Sequence, residues 1–251
     1  MSRKTAIITG GSRGLGKDMA LNLAQNGINI IFSYHSNEIQ ARETIQQIEQ
    51  LGSKGVAFQF DANDFNSGKD FITTATNYLR EENGDGNFDF LINNAGTGAY
   101  NLVADTTEEQ FNEMMNVHLK SVYFLTQAAL PYLNESGRII NISSGLARFS
   151  LPGMSAYAMM KGGIEVFTRY LAKELGSRKI TANVVAPGAI ATDFAGGSNK
   201  DEEKQAIISS ITALGRVGEA EDIGGVVSFL CSEKAAWING QRIEVSGGML
   251  V

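Results

Sequence analysis

A single cysteine, Cys231, excludes any disulfide within the chain and favours a reducing compartment. As a small apolar side chain in a helical stretch, it suits packing more than chemistry. There is no basic run, and the formal net charge is −6, which argues against nucleic acid or an anionic membrane as the main partner. No apolar stretch approaches the roughly 18–20 residues of a membrane span. Met1-Ser2-Arg3-Lys4 passes directly into the strand-like Thr5-Ala6-Ile7-Ile8, so no targeting segment is expected. The expectation is a soluble, cytoplasmic protein. Prolines number only three, Pro131, Pro152 and Pro187, each near an expected element end, and no linker or internal repeat divides the chain. With 251 residues, 43% of them hydrophobic and 19% charged, the sequence suits one globular domain over 1–251 with a sizeable core.

What the chain does have is alternation. Short apolar, β-branched runs fall at residues 6–8, 28–32, 56–58, 88–92, 138–142, 181–185 and 242–245. Stretches of helical period lie between them, at 15–26, 38–51, 64–82, 108–133, 155–177 and 219–231. Strand then helix, repeated, implies parallel strands with helices on both faces. Near-continuous apolar strands fit a sheet buried on both sides. The expected fold is α/β: a Rossmann-type, doubly wound sheet of seven parallel strands. Two polar, glycine-rich segments stand apart; 83–87 reads as a surface turn and 196–202 as a mobile flap.

The first strand ends in Thr9-Gly10-Gly11-Ser12-Arg13-Gly14-Leu15-Gly16, and a helix follows. Glycines permit a tight turn and close approach of backbone to a pyrophosphate, and the helix start offers free N–H groups at a positive dipole end. Its place between first strand and first helix gives this turn its weight. The spacing is TGxxxGxG. Four further blocks follow in order: Asp61-Ala62, Asn93-Asn94-Ala95-Gly96, Tyr157-Ala158-Met159-Met160-Lys161, and Asn183-Val184-Val185-Ala186-Pro187-Gly188. On these residues the chain, from about residue 4 to residue 251, resembles the classical short-chain dehydrogenase/reductase family, including its 3-oxoacyl-carrier-protein-reductase-like members.

The resemblance implies a nicotinamide dinucleotide. Sites for NAD commonly place Asp or Glu after strand two. Here Ser33-Tyr34-His35-Ser36-Asn37 follows, with no carboxylate before Glu38. An acid would repel a 2′-phosphate; Arg13 in the turn would pair with one, and His35, Ser36 and Asn37 add donors. In the resembling family a basic residue just before the middle glycine goes with NADP. NADP is therefore expected, with NADPH preferred over NADH. The resemblance assigns cofactor contacts to Gly10, Ser12, Arg13, Gly14, Leu15 and Gly16 in the turn, and to Tyr34, His35, Ser36 and Asn37 after strand two. It gives Asp61, beside Ala62, the adenine amino group, and Asn93, Ala95 and Gly96 the ribose. Ile142, Tyr157 and Lys161 adjoin the cofactor, while Pro187, Gly188, Ile190 and Thr192 face the nicotinamide.

Tyr157 and Lys161 are four apart, which places them on one helix face. An ammonium beside a phenol lowers the phenol's pKa, and a tyrosine shifted toward neutrality exchanges protons with a reacting oxygen. The family pattern sets a serine thirteen residues before the tyrosine, which selects Ser144 over Ser143; Ser143 is expected to pack or cap. The implied chemistry is hydride transfer between NADP(H) and a carbonyl/secondary alcohol pair. Tyr157 would exchange the proton, Ser144 would orient the oxygen, and Lys161 would bind the ribose hydroxyls and tune Tyr157. No metal is called for.

One position departs from the family. Its usual helix asparagine is replaced by His118 in Asn116-Val117-His118-Leu119-Lys120. A histidine keeps the backbone carbonyl that holds a water in the family, and its imidazole is expected to titrate near neutrality and to be available as a proton shuttle. Asn116 should face elsewhere. Substrate choice should lie in 97–103, 145–155 and 189–212. Leu146, Phe149, Leu151 and Met154 suggest an apolar wall, with Arg148 at the surface. Glu135 and Ser136 before Gly137-Arg138 weigh against an acyl-carrier partner. The partner is expected to be a small-molecule carbonyl or alcohol, and the resemblance implies a homotetramer. An alternative is an NADP(H)-binding sensor or scaffold without turnover, against which the Ser144–Tyr157–Lys161 set argues. Another chemistry on this fold, such as epimerisation or dehydration, is the third class.

Overall fold

The computed structural model describes residues 3–64 and 66–251. Its strands are β1 (Thr5–Ile8), β2 (Asn29–Tyr34), β3 (Gly55–Gln59), β4 (Phe88–Asn93), β5 (Leu133–Ile142), β6 (Thr181–Pro187) and β7 (Arg242–Val245). The helices are α1 (Gly14–Gln25), α2 (Glu38–Gln50), α3 (Ser67–Asn83), α4 (Glu108–Met115), α5 (Ser121–Ala129), α6 (Ser155–Glu174), α7 (Glu202–Ser210) and α8 (Glu221–Leu230). The strands form one parallel sheet in the order β3-β2-β1-β4-β5-β6-β7. This is the expected Rossmann-type, doubly wound sheet.

Alternation along each strand divides the core between the two faces. Ala6 and Ile8 of β1, Ile30 and Phe32 of β2, and Phe90 and Ile92 of β4 pack with Leu23 of α1, Ala41 and Ile48 of α2, and Ile223 and Val227 of α8. Ile7, Ile31, Leu91 and Ile139 turn the other way, toward Phe71 and Leu79 of α3, Leu125 of α5 and Leu171 of α6. Apart from α4 and α7, which bury one residue each, every helix buries one stripe. In α3 it is Phe71, Ile72, Ala75, Thr76 and Leu79, the spacing of an amphipathic helix. Ends are set locally: Asn37 Oδ1 caps α2, Thr107 and Gln110 form a reciprocal capping box on α4, and Gly84 closes α3 in the left-handed region.

The structure departs from the sequence expectation at two places. The stretch 108–133 is not one helix. It stops at Ala129 ahead of Pro131, and a wide turn, Asn116–Lys120, separates α4 from α5, closed by the Ser121 N–H on the Asn116 carbonyl. That extra residue lets consecutive Val117 and His118 both point inward. The segment expected as a flap holds consecutive left-handed residues, Ala195, Gly196 and Gly197, followed by α7, whose N-cap Asp201 accepts from the Lys204 N–H.

Candidate active site

The strand order turns back between β1 and β4, so their carboxyl ends open a crevice, the usual ligand position in an open α/β sheet. The glycine turn lies there. Gly10 has φ +69° and Gly14 +53°, and a Cβ on Gly16 would lie 2.0 Å from the Gly10 carbonyl oxygen. Three side chains hold the turn. The Gly10 N–H donates to Ser33 Oγ at 2.9 Å, and Asn94 Nδ2 donates to the Thr9 and Gly10 carbonyls at 2.9 and 3.0 Å. Thr9 Oγ1 accepts the Asn94 and Ala95 N–H groups, both at 3.0 Å. Helix α1 follows with no side-chain cap and no acidic residue in its first turn. Uncapped N–H groups at a positive helix end, beside a turn with no room for a Cβ at Gly16, suit a dinucleotide phosphate.

The other residues expected to meet a cofactor have varied side-chain commitments. Arg13 is exposed, and its charge acts on Asp193 across the opening. Ser12 accepts Thr44 Oγ1 on its carbonyl, and Leu15 packs on the core. His35 Nε2 stands 3.8 Å from Asp61 Oδ2, both exposed, with exposed Ser36 following His35 in the chain. Asn37 spends its side chain on the α2 cap, and Tyr34 gives its carbonyl to the Phe60 N–H. Asp61 Oδ1 accepts the Asn63 N–H at 2.9 Å, and Ala62 packs toward α3. Asn93 turns into the sheet: its Nδ2 donates to Thr126 Oγ1 at 3.0 Å and Asn141 Oδ1 at 2.8 Å. Its side chain therefore ties strands and helix together, while Asn94, absent from the expected set, supports the turn. On the far side, Gly188 donates to the Val245 carbonyl, and the Ile190 carbonyl accepts from Thr192 N–H and Asn199 Nδ2. A Cβ on Gly14 would meet the Thr192 side chain at 3.6 Å, so these two residues face each other.

Ser144, Tyr157 and Lys161 come together at the ends of β5 and α6. Lys161 is 5% exposed and donates through Nζ to the Ile142 carbonyl at 2.7 Å. Burial lowers its ammonium to about 8. Tyr157 is 8% exposed, with Lys161 Nζ 5.6 Å from its ring centre. Burial raises its hydroxyl well above the usual tyrosine value, opposed by a hydrogen bond with Ser144. The expected lowering by Lys161 is therefore not what the protein alone produces, since the ammonium turns to the Ile142 carbonyl and desolvation dominates. Ser144 Oγ accepts the Leu146 N–H at 3.2 Å. Ser143 points elsewhere, donating to Glu165 Oε1 at 2.8 Å.

His118 is fully buried and packs edge-on with Tyr157, ring centres 4.9 Å apart. Its Nε2 lies 2.7 Å from the Thr97 carbonyl, and Nδ1 has no partner. Burial first, and the Lys161 charge second, lower its pKa to about 3, so the expectation of titration near neutrality is corrected: the ring stays neutral. A neutral ring facing a carbonyl carries its proton on Nε2, which leaves Nδ1 a bare acceptor. Gly96 makes room for it, because a Cβ there would lie 2.8 Å from His118 Cε1. Asn116 faces elsewhere as expected, donating to Asn63 Oδ1 at 3.2 Å.

Phe194 stands over the site, 5.9 Å from the Tyr157 ring centre, against Gly98. The Tyr100 ring lies on Gly153 and is mostly exposed. Arg148 is held by Glu244 and by the Met249 and Leu250 carbonyls rather than by the site. Asn94 and Glu165 were not readable as site residues, since their partners lie far away in sequence; Phe194 falls in the segment 189–212 expected to choose substrate, though nothing singled it out there, and the doubled asparagine of Asn93-Asn94 gave a weaker signal.

A family model described as enoyl-(acyl carrier protein) reductase matches residues 10–250. The 3-oxoacyl-[acyl-carrier-protein] reductase FabG of Staphylococcus aureus (strain Mu50 / ATCC 700699) is 36% identical over 248 residues, 98% of each chain. Among solved structures, the reductase LugOII, which catalyses keto-reduction at C1 in lugdunomycin biosynthesis, superposes with a TM-score of 0.94 at 36% identity, over 99% of this chain and 98% of its own. The angucycline C-6 ketoreductase LanV with bound NADP gives 0.94 at 36% identity, over 98% and 95%. With its glycine turn, its parallel sheet and these full-length likenesses, the chain belongs to the short-chain dehydrogenase/reductase family of oxidoreductases.

Proposed function

We propose that this protein is an NADPH-preferring reductase of a small-molecule ketone, working through Ser144, Tyr157 and Lys161. The observation that carries the proposal is the convergence of these three side chains just beyond the carboxyl end of β5, Tyr157 and Lys161 buried, Ser144 half-buried, and all three hydrogen-bonded. The nicotinamide of NADPH, when bound, supplies the hydride. Arg13 would hold the 2′-phosphate, the first-turn N–H groups of α1 the pyrophosphate, and Pro187, Gly188, Ile190 and Thr192 the nicotinamide side. Lys161, an ammonium at neutral pH, holds ribose hydroxyls. Tyr157, whose raised pKa keeps it protonated, gives its proton to the substrate oxygen. Ser144 Oγ accepts the Leu146 N–H and meets Tyr157, and its hydroxyl proton would turn to the carbonyl oxygen when substrate is bound. His118, neutral, packs Tyr157 in place and offers Nδ1 as an acceptor.

Aromatic Tyr100 and Phe194 at the entrance, with Leu151 and Met154, favour a flat, uncharged ketone over an acyl-carrier partner. NADP and keto-reduction in the two solved relatives support the same direction. Among the described residues no helix is long and apolar enough to cross a membrane, and buried Cys231 suits the cytoplasm we assign. We further propose a homotetramer.

Cofactor oxidation across diketones, quinones, acyl-thioesters, steroids and sugars, with NADPH and NADH in parallel, tests this. NADPH-linked turnover should fall by about 10²–10⁴-fold in Tyr157→Phe. Tight NADPH binding with no turnover on any carbonyl would move the protein to the sensor class.

A further inference from the structure

Four charged side chains form a continuous chain that ends on the backbone of Ser144. Arg148 grips Glu244 with Nε on Oε2 at 2.8 Å and Nη2 on Oε1 at 2.7 Å. Glu244 Oε2 also accepts Arg242 Nη1 at 2.7 Å, and Arg242 Nε donates to Glu165 Oε1 at 2.7 Å. That same Glu165 oxygen takes the Ser143 hydroxyl at 2.8 Å. Arg242 Nη2 then reaches the Ser144 carbonyl at 3.2 Å, which the Ala147 N–H shares at 3.1 Å. Two guanidiniums balance two carboxylates. Arg148 first, with Arg242, holds Glu244 down at about 2, so Glu244 stays ionised through neutral pH.

The placement is what makes this chain informative. Glu165 lies one turn past Lys161 on α6, and Ser143 immediately precedes Ser144 just beyond the end of β5. The chain therefore fixes the strand end bearing Ser144 to the helix bearing Tyr157 and Lys161. β7 pairs with β6 through its backbone, and largely buried ion pairs are often replaceable by apolar side chains without loss of stability. A hydroxyl that must meet a substrate oxygen, by contrast, is sensitive to displacements of an ångström.

We infer that Arg242, anchored by Glu165, is a positioning residue that holds the Ser144 peptide so that its hydroxyl stays on Tyr157. Arg148 extends the chain to the Met249 and Leu250 carbonyls at 2.8 and 3.0 Å, so the C-terminal tail is seated on the same device. The inference rests on the reductase reading given above.

The test uses Arg242→Met, Arg242→Lys and the near-isosteric Glu165→Gln, each alone and combined with Ser144→Ala. Turnover is followed with NADPH and phenanthrenequinone, and amide hydrogen exchange at residues 144–147 is measured without substrate. Arg242→Met should lower kcat about ten- to thirtyfold, with both KM values within about twofold and partial recovery in Arg242→Lys. In the Ser144→Ala background it should have no further effect, because a residue acting through Ser144 is silent once that hydroxyl is gone. Exchange at 144–147 should quicken in Arg242→Met and Glu165→Gln. Losses that multiply with Ser144→Ala, or unchanged exchange in both variants, would overturn the inference. If the wild type reduces no carbonyl while exchange still quickens, the reductase reading falls and the positioning role stands; Glu165→Gln supplies the exchange result if Arg242→Met does not fold.

Discussion

Lys161 gives up part of its basicity to burial, which brings its ammonium to about 8, within reach of ordinary assay conditions. The charged form is the one we propose to hold ribose hydroxyls, so activity should be present below that value and lost above it. The kcat/KM for NADPH should be level from about pH 6 to about 7.5 and then fall by up to about tenfold per unit. His118, at about 3, should add no acid limb in that range. A limb near 6.5 that disappears in His118→Asn would refute the neutral-ring assignment. Arg13 carries a separate expectation: Arg13→Ala should raise KM for NADPH about tenfold or more while leaving that for NADH nearly unchanged, since only the 2′-phosphate loses a charge-assisted partner. Equal changes for the two cofactors would place Arg13 outside the 2′-phosphate site. The shared helix face of Tyr157 and Lys161 was legible from their spacing of four, whereas Ser144 was picked out over Ser143 by the family resemblance. Their electrostatics were not legible, because desolvation depends on which side chains pack over them, Met114 of α4 and Phe194 among these, and packing of that kind is not written in local pattern.

At the level of elements, the strand–helix alternation and the glycine turn were legible because each is written in local pattern. The wide turn at 116–120 was not, since nothing in the residues there breaks helical periodicity; it is seen only when Val117 and His118 are both found inside. The contact between α1 and α8 was hidden for a similar reason. Asp18 Oδ2 accepts the Gly224 N–H at 2.8 Å, and a Cβ on Gly224 would lie 2.1 Å from that oxygen. Burial, which outweighs this hydrogen bond, raises the Asp18 carboxyl to about 6 from 3.8, with Glu221 and Asp222 adding to the shift. The folded protein thus holds this proton more tightly than the unfolded chain. Its contribution is fully present below about pH 4 and is lost as the pH rises through about 6. Asp18→Asn should therefore raise Tm at pH 7.5 by about 2–4 °C, the group being half exposed and its cost accordingly discounted to about 1 kcal/mol. At pH 4 it should change little. Thermal melts of both proteins at the two pH values decide it, and a variant that is less stable at pH 7.5 would mean that the Gly224 hydrogen bond outweighs the burial.

For the molecule as a whole, the unaccounted feature is apolar surface on α5 and α6. Met159, Val166 and Tyr170 stand out from one side of α6, with Gly162 between them carrying nothing within 4 Å of its would-be Cβ. Tyr123 of α5 packs at 4.8 Å against Phe167 of α6, which joins the two helices into one continuous face. Positions 159, 162, 166 and 170 recur at helical spacing, so the stripe is a designed face of α6 and not scattered exposure. Contiguous apolar surface of this kind usually marks an interface, and a symmetric assembly would lay α5 and α6 of one copy on the same helices of another. Because α6 also carries Tyr157 and Lys161, that packing would stiffen the helix on which the site is built. Val166→Glu with Tyr170→Arg should shift the solution mass from four chains to two or fewer, read by light scattering, and should lower Tm. Turnover should fall less than in Tyr157→Phe, because the side chains at the crevice are untouched. If the wild type already runs as a monomer, the tetramer proposal fails, and the α5–α6 face requires a different partner.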